Sequence, residues 1–546
     1  MCSSNGNVRV GLTELFSGRT GMSKSLPPKP RFQRLLHHSL IQAAYDCPDM
    51  TALITEKATV TYGRLLENVQ QCASALVARG LVRGDRVGIY ADNTLECVLA
   101  LWATLWAGGA FVVINPQTKS DKLKYVLNKS RAKLLVTDNH LRHEWSPILP
   151  ECGSVAGVLC SDWKSTDSAA LAEPRIEDFW SAVKNESPME NAVFCIPLDL
   201  AALIFTSGST GYPKGVMMTH QSMVFARDSI TDYLRLSQDE RIINLLPLAF
   251  DYGLYQLLIA FGLGATLVLE RSFTYPGLIF EKMGKHGVTV FPGVPTIYST
   301  LISMHQKTPL CFPSVRRVTN TAAALPPDYV PMLRQIFPNA LIFAMYGLTE
   351  CKRVSYLEPE LIDIKSGSVG RSIPGTEMFL LSPEGQPVPP GKNGILHIRG
   401  PHVMLGYWED PERTAKMIKP GKLPGERVLC THDWFSMDQE GFFYFKGRSD
   451  DIIKSRGEKV SPVEVENVLY SVKGIKEAAV IGVPDENLGQ AIKAFVVLEA
   501  KSTLTPKEIQ RHCATRLENF MVPKVIEFSD GLPKTENGKI KKDGLR

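Results

Sequence analysis

Between residues 61 and 81 the apolar side chains Tyr62, Leu65, Leu66, Val69, Cys72, Leu76 and Val77 return at helical spacing, and Gly80 closes the segment. This predicts an amphipathic helix with one face on a core. The period then changes: residues 86–90 read RVGIY, a strand-like run, residues 121–128 return to helical spacing, and residues 133–138 are strand-like again. Such alternation predicts parallel sheets covered by helices. The same rhythm recurs over residues 241–269 and 287–304, with no short-period repeat.

Two uncharged stretches, 97–114 and 252–269, are each 18 residues long, the lower limit for crossing a bilayer. Each divides into an apolar helix-like half (99–107; 254–261), a glycine break (Gly108-Gly109; Gly262 and Gly264) and a short run of strand type (111–114; 266–269). A helix feeding a buried strand is the better reading, so no membrane span is expected.

Beyond residue 450 the elements become shorter and denser. Ser461-Pro462-Val463-Glu464 and Thr505-Pro506-Lys507-Glu508 are capping boxes with proline at the first helical position. They open helices to about Val472 and Glu518, with strands at 477–483 and 491–499 between them. The expected organisation is a polar leader over residues 1–29, a large α/β body over 30–449 and a small α+β domain over 450–546.

Composition agrees with a folded chain: 546 residues, 44% hydrophobic and 21% charged, with a net charge of +5. That charge is too mild and dispersed to indicate a nucleic-acid partner. Eleven cysteines are scattered without any C-x-x-C, which argues against a zinc site or disulfide scaffold and for a reducing, cytoplasmic setting. The N-terminus lacks the apolar region of a secretion signal.

The most informative segment is Thr206-Ser207-Gly208-Ser209-Thr210-Gly211-Tyr212-Pro213-Lys214-Gly215, which follows the apolar run 200–205. Glycines free backbone N–H groups to face an anion, hydroxyls add donors and Lys214 adds a cation, the makings of a phosphate cradle. A flexible Ser/Gly turn would have the same composition. No Gly-Lys-Ser/Thr follows, which excludes a Walker loop.

The segment resembles the phosphate loop of the AMP-forming, adenylate-forming ligase superfamily: acyl- and aryl-CoA synthetases, adenylation domains of nonribosomal peptide synthetases, and firefly luciferase. Further motifs follow in the family order. Met345-Tyr346-Gly347-Leu348-Thr349-Glu350 resembles Y-G-x-T-E, implying that Tyr346 stacks on adenine, Thr349 contacts the α-phosphate and Glu350 helps hold Mg²⁺. Ala323, within Thr321-Ala322-Ala323-Ala324-Leu325-Pro326, stands where the family has a glycine-rich adenine-contacting turn.

Thr431-His432-Asp433 and Gly447-Arg448-Ser449-Asp450-Asp451 resemble the paired ribose-binding motifs. Asp433 would accept from two vicinal hydroxyls, and Arg448 would reach ribose or phosphate from the other side. Their fifteen-residue spacing spans a hairpin-like stretch with its turn at 438–441. Near the end, Pro533-Lys534-Thr535-Glu536-Asn537-Gly538-Lys539 resembles the P-K-T-x-x-G-K motif. The implied catalytic lysine is Lys539, set against the charge that develops as a carboxylate attacks the α-phosphate.

The resemblance also implies a two-position small domain, with the hinge at Asp450. One orientation brings Lys539 to the adenylate. The other brings Arg456 and Gly457 to a tunnel for the incoming thiol, where glycine permits close approach of a pantetheine arm. The implied reaction is ATP- and Mg²⁺-dependent activation of a small carboxylic acid to acyl-AMP, then transfer to CoA or to a phosphopantetheine carrier protein. A luciferase-like oxygenase or a silent binding protein fits less well, given intact Lys214, Glu350, Asp433, Arg448 and Lys539.

The acid itself has two readings. Pro247-Leu248-Ala249-Phe250-Asp251 resembles the P-x-x-F-D of peptide-synthetase adenylation domains, where the aspartate pairs with a substrate amino group; this would make the chain a stand-alone amino-acid adenylating enzyme loading a separate peptidyl carrier. Alternatively Asp251 caps a helix beginning near Tyr252. Arg353, with Lys352 beside it, falls at a pocket-lining position and would want an anion: a second substrate carboxylate, or Asp251 itself. Tyr252, Tyr255 and Met345 are expected to narrow the pocket.

Overall fold

The computed structural model describes residues 27–164, 175–206, 212–321, 329–448, 453–460, 462–499 and 502–533, with Leu325, Pro327, Lys542 and Leu545. The predicted alternation is realised in two parallel-rich sheets. In the first, Leu341–Leu348, Arg317–Asn320, Val290–Gly293, Arg241–Asn244, Thr266–Leu269 and Thr51–Ile54 run parallel and side by side. In the second, the parallel set is Leu200–Thr206, Ala110–Ile114, Arg86–Tyr90, Ala132–Asp138, Gly157–Ser161 and Arg175–Asp178.

Near-neighbour chemistry sets the element ends. Helix Tyr62–Ala78 starts where the Thr61 side chain accepts from the Arg64 N–H, and Gly80 then takes φ +84°. Its expected apolar face is buried except for Val77, which lies at the stripe's edge and is 40% exposed.

The two long apolar stretches are interior helices. Leu95–Trp106 packs on the second sheet and Asp251–Leu263 on the first, and Trp102 stacks on Phe261 with ring centroids 5.6 Å apart. Almost every side chain on both is buried, and each fully buried large apolar group is worth about 1.5–3 kcal/mol. All-round hydrophobicity therefore reports burial between layers. Among the described residues no helix is long and apolar enough to cross a membrane.

A third, antiparallel sheet holds Glu377–Leu381, Asn393–Arg399, Arg427–Met437 and Ile418–Pro420, with Phe443–Arg448 on Arg427–Met437. From Ile453 onward a smaller α+β unit has its own five-stranded sheet and a separate core that includes Val460, Leu469, Val480, Ile492, Val496 and Ile509. The Thr505–Glu508 capping box forms as expected at the head of Pro506–Arg516.

Candidate active site

A cavity opens at the carboxyl ends of the parallel strands, where α/β sheets place their ligands. Ile114, Thr206, Leu246, Val294, Thr321 and Leu348 mark those ends in its wall, and Lys454, Gly457, Glu458 and Phe520 of the small domain close the other side. Ser207 to Gly211, Ala323, Asp450 and Lys539 lie outside the described residues, as does the side chain of Arg448.

Tyr346 and Asp433 meet in this wall. The Tyr346 hydroxyl donates to Asp433 Oδ2 at 2.6 Å, and its ring lies edge-on to Phe435 and stacked toward Phe445. Asp433 is directed inward by a kink in its strand: His432 takes φ +56°, and the Asp433 N–H donates to Thr431 Oγ1 at 3.1 Å. The hairpin read from the sequence pairs Asp433 with Arg448 across the ladder, with the Asp438 side chain accepting from the N–H groups of Glu440 and Phe442 at the turn.

Lys214 and Glu350 are brought to 3.3 Å, and a residue not foreseen from the sequence joins them. The Lys214 ammonium donates to Tyr407 Oη at 2.7 Å, and that hydroxyl donates to Glu350 Oε1 at 2.7 Å. Tyr407 arrives because Gly406–Tyr407 adds an edge strand to Lys214–Thr219, opposite Val216. The only sequence signal for it is the Gly406-Tyr407-Trp408 triplet, which carries no meaning until that pairing is known.

Gly347 is obligatory in the turn that carries Thr349 and Glu350. A Cβ there would sit 1.9 Å from the Lys352 carbonyl oxygen, in a hairpin whose return strand starts with Lys352 at φ +64°.

That left-handed residue turns Lys352 into the protein. Its side chain is 0% exposed, 3.1 Å from Asp251 Oδ1, while Arg353 Nη1 donates to Asp251 Oδ2 at 2.9 Å. Burial pushes the Lys352 ammonium below its ordinary pKa, and Asp251 offsets only part of that. The Arg353 guanidinium lies over the Tyr252 ring, 4.7 Å from its centroid. Asp251, Tyr252 and Arg353 line the cavity.

This arrangement corrects three expectations. Asp251 does not cap its helix: Phe250 is the N-cap, and Asp251 is the first helical residue with its carboxylate drawn to the two cations. Tyr255, one turn deeper along the interior helix, lies in the core with its hydroxyl toward the Met223 carbonyl and does not line the cavity. Met345 points away from the cavity, because strand alternation that aims Tyr346 inward places Met345 against the Tyr233 hydroxyl.

On the small-domain side, Arg456 and Gly457 form the two-residue turn between Ile453–Ser455 and Glu458–Val460, with φ of +55° and +79°. Gly457 meets the cavity wall, where a Cβ would lie 3.1 Å from Val294 Cγ1. Arg456 is exposed and does not line the cavity, since the turn points its side chain outward.

The chain matches the AMP-binding enzyme family over residues 40–408 and the AMP-binding enzyme C-terminal domain over 464–539. It is 31% identical over 540 residues to a long-chain-fatty-acid–CoA ligase of Bacillus subtilis, covering 94% of each chain. It is 32% identical to a feruloyl-CoA synthase of Amycolatopsis, covering 93% of this chain and 97% of that one. Its fold superposes on an o-succinylbenzoate CoA synthetase from Bacillus subtilis with a TM-score of 0.80 at 28% identity, over 93% and 98% of the two chains. These relatives favour a CoA-ligase type of reaction over amino-acid loading of a carrier protein, and the Asp251 carboxylate is already engaged by two internal cations. The chain belongs to the AMP-binding enzyme family and is an AMP-forming acid–thiol ligase.

Proposed function

We propose that the acid this ligase activates carries a second carboxylate, which docks on Arg353. The observation that carries the reading is charge: Lys352 and Arg353 are both buried, and among the described residues Asp251, at the cavity wall, is the one carboxylate in ion-pair contact with them. A buried excess positive charge is costly, and a substrate anion would cancel it. Among the described residues Arg353 Nε has no hydrogen-bond partner in its buried position, so the guanidinium retains donor capacity.

The remaining parts follow the family. Tyr346 would stack on adenine and Asp433 would take the ribose hydroxyls, exchanging its bond from Tyr346 for theirs, with Arg448 across the ladder. Residues 206–211 and Lys214 would receive the phosphates, with Thr349 at the α-phosphate. Glu350 offers a hard oxygen ligand at the buried end of the Lys214–Tyr407–Glu350 chain, which suits Mg²⁺ held by one carboxylate and substrate phosphates; the ion would screen phosphate charge. The acceptor is CoA, delivered past Gly457. The chain divides near Asp450, and a cytosolic setting is supported by ten described cysteines, none of them in a disulfide.

The test is kcat/KM for matched mono- and dicarboxylic acids. The wild type should prefer the dicarboxylate. Arg353→Met should weaken that preference roughly 10- to 150-fold, the equivalent of a charged hydrogen bond of about 1.5–3 kcal/mol. A preference for monocarboxylates that the substitution leaves unchanged would overturn the proposal.

A further inference from the structure

The face that the small domain presents to the large one carries a charged cluster in the wall of the same cavity, apart from the residues proposed above for the nucleotide and the acid. Lys122, on helix Ser120–Ser130 of the large domain, lies 2.8 Å from Glu518 Oε1 and 3.0 Å from Glu464 Oε1. Glu464 sits in the first turn of Pro462–Tyr470 and Glu518 just beyond Pro506–Arg516, so one ammonium braces two separate elements of the small domain. Thr118 Oγ1 also donates to Glu518 at 3.3 Å. Other interdomain contacts nearby include Phe250 edge-on to Phe520, Gly457 on Val294 and, at the rim, Arg516 at 3.9 Å from Asp121.

We infer that Lys122 is a positioning residue for the thiol-transfer half-reaction, the counter-charge that lets Glu464 and Glu518 be buried in the orientation that sets Gly457 on the cavity. The inference rests on the proposal that the two half-reactions use two orientations of the small domain. Contacts such as Phe250 with Phe520 tolerate sliding and rotation, whereas two carboxylates on one ammonium define a register. In an orientation that takes these carboxylates into water, the loss of Lys122 costs nothing comparable.

The cluster also has a pH signature. Glu458 borders it, and burial together with the Glu518 charge, partly offset by Lys122, pushes its carboxyl up to about 8. The other described groups facing the cluster are Glu464, itself raised by burial, the Tyr90 phenol, also raised, the Lys119–Glu144 pair and the Asp121–Arg516 pair at the rim. When the small domain moves away, Glu458 reverts toward its ordinary value of 4.5. Docking therefore takes up a proton between these two values. It is strongest at low pH, weakens by up to about tenfold per unit as pH rises through that window, and levels off above about 8.

The full-length protein is assayed in two separate reactions: acid-dependent exchange of pyrophosphate into ATP, and conversion of a supplied acyl-adenylate with CoA to thioester. Lys122→Met should leave exchange within about twofold while slowing the thioester step about tenfold or more, and Lys122→Arg should restore most of it. The ratio of wild-type to Glu458→Gln thioester rates should fall from pH 6 to about pH 8, because Gln cannot lose the proton. Equal slowing of both steps by Lys122→Met, an unchanged thioester step, or a flat ratio would overturn the inference. A wild type without acid-dependent exchange would instead overturn the activity on which it rests.

Discussion

Lys539→Ala is expected to lower acid-dependent exchange of pyrophosphate into ATP by a factor of about 10² or more, the scale of one preorganised charge at a site where charge develops. Attack of a carboxylate on the α-phosphate builds negative charge on the reacting phosphorus oxygens and on the departing pyrophosphate, and a fixed ammonium stabilises both. The matched C-terminal domain of the family runs to residue 539. Thioester formation from a supplied acyl-adenylate should continue in the same variant, because by then the pyrophosphate has left. Equal loss in the two half-reactions would mean that Lys539 supports the fold or both orientations, and the assignment would fail.

The second large effect is on stability. Asp251→Asn keeps the side-chain shape but leaves Lys352 and Arg353 buried together with no carboxylate between them. Removing one member of a buried ionic group typically costs about 3–5 kcal/mol, because the cost of burying the remaining charge is no longer offset. A marked fall in melting temperature is expected, with partial recovery on addition of a dicarboxylic acid that supplies the missing charge. An unchanged melting temperature combined with loss of activity only toward amino acids would return Asp251 to the role of ammonium partner. Helix capping predicts neither outcome, since Phe250 occupies that position.

The ease of reading differed between fold and site for a physical reason. Strands Arg86–Tyr90 and Thr266–Leu269 and the Thr505 cap follow from side-chain period, β-branching and one hydroxyl, all acting within a few residues. The residues proposed for the nucleotide were legible only through motifs that resemble a family, and the hairpin register explains why Asp433 and Arg448 are spaced as they are. The acid pocket had no such aid. Tyr255 and Met345 were expected at the cavity because they are large and near Asp251 and Tyr346 in sequence, yet helix depth and strand alternation face them into the core.

Local order along the chain was thus determined by the sequence alone: the alternation of helix and strand, the interior character of two apolar helices, and a small unit of different rhythm after residue 450. What each charge does was decided only by the tertiary structure. Tyr346 meets Asp433 across 87 residues, Lys214 meets Tyr407 across 193, Arg353 meets Asp251 across 102, and Lys122 meets Glu518 across 396. A buried ion's energy depends on the nearest counter-charge and on the water it has lost, and sheet pairing and domain docking set both at separations that no local pattern encodes.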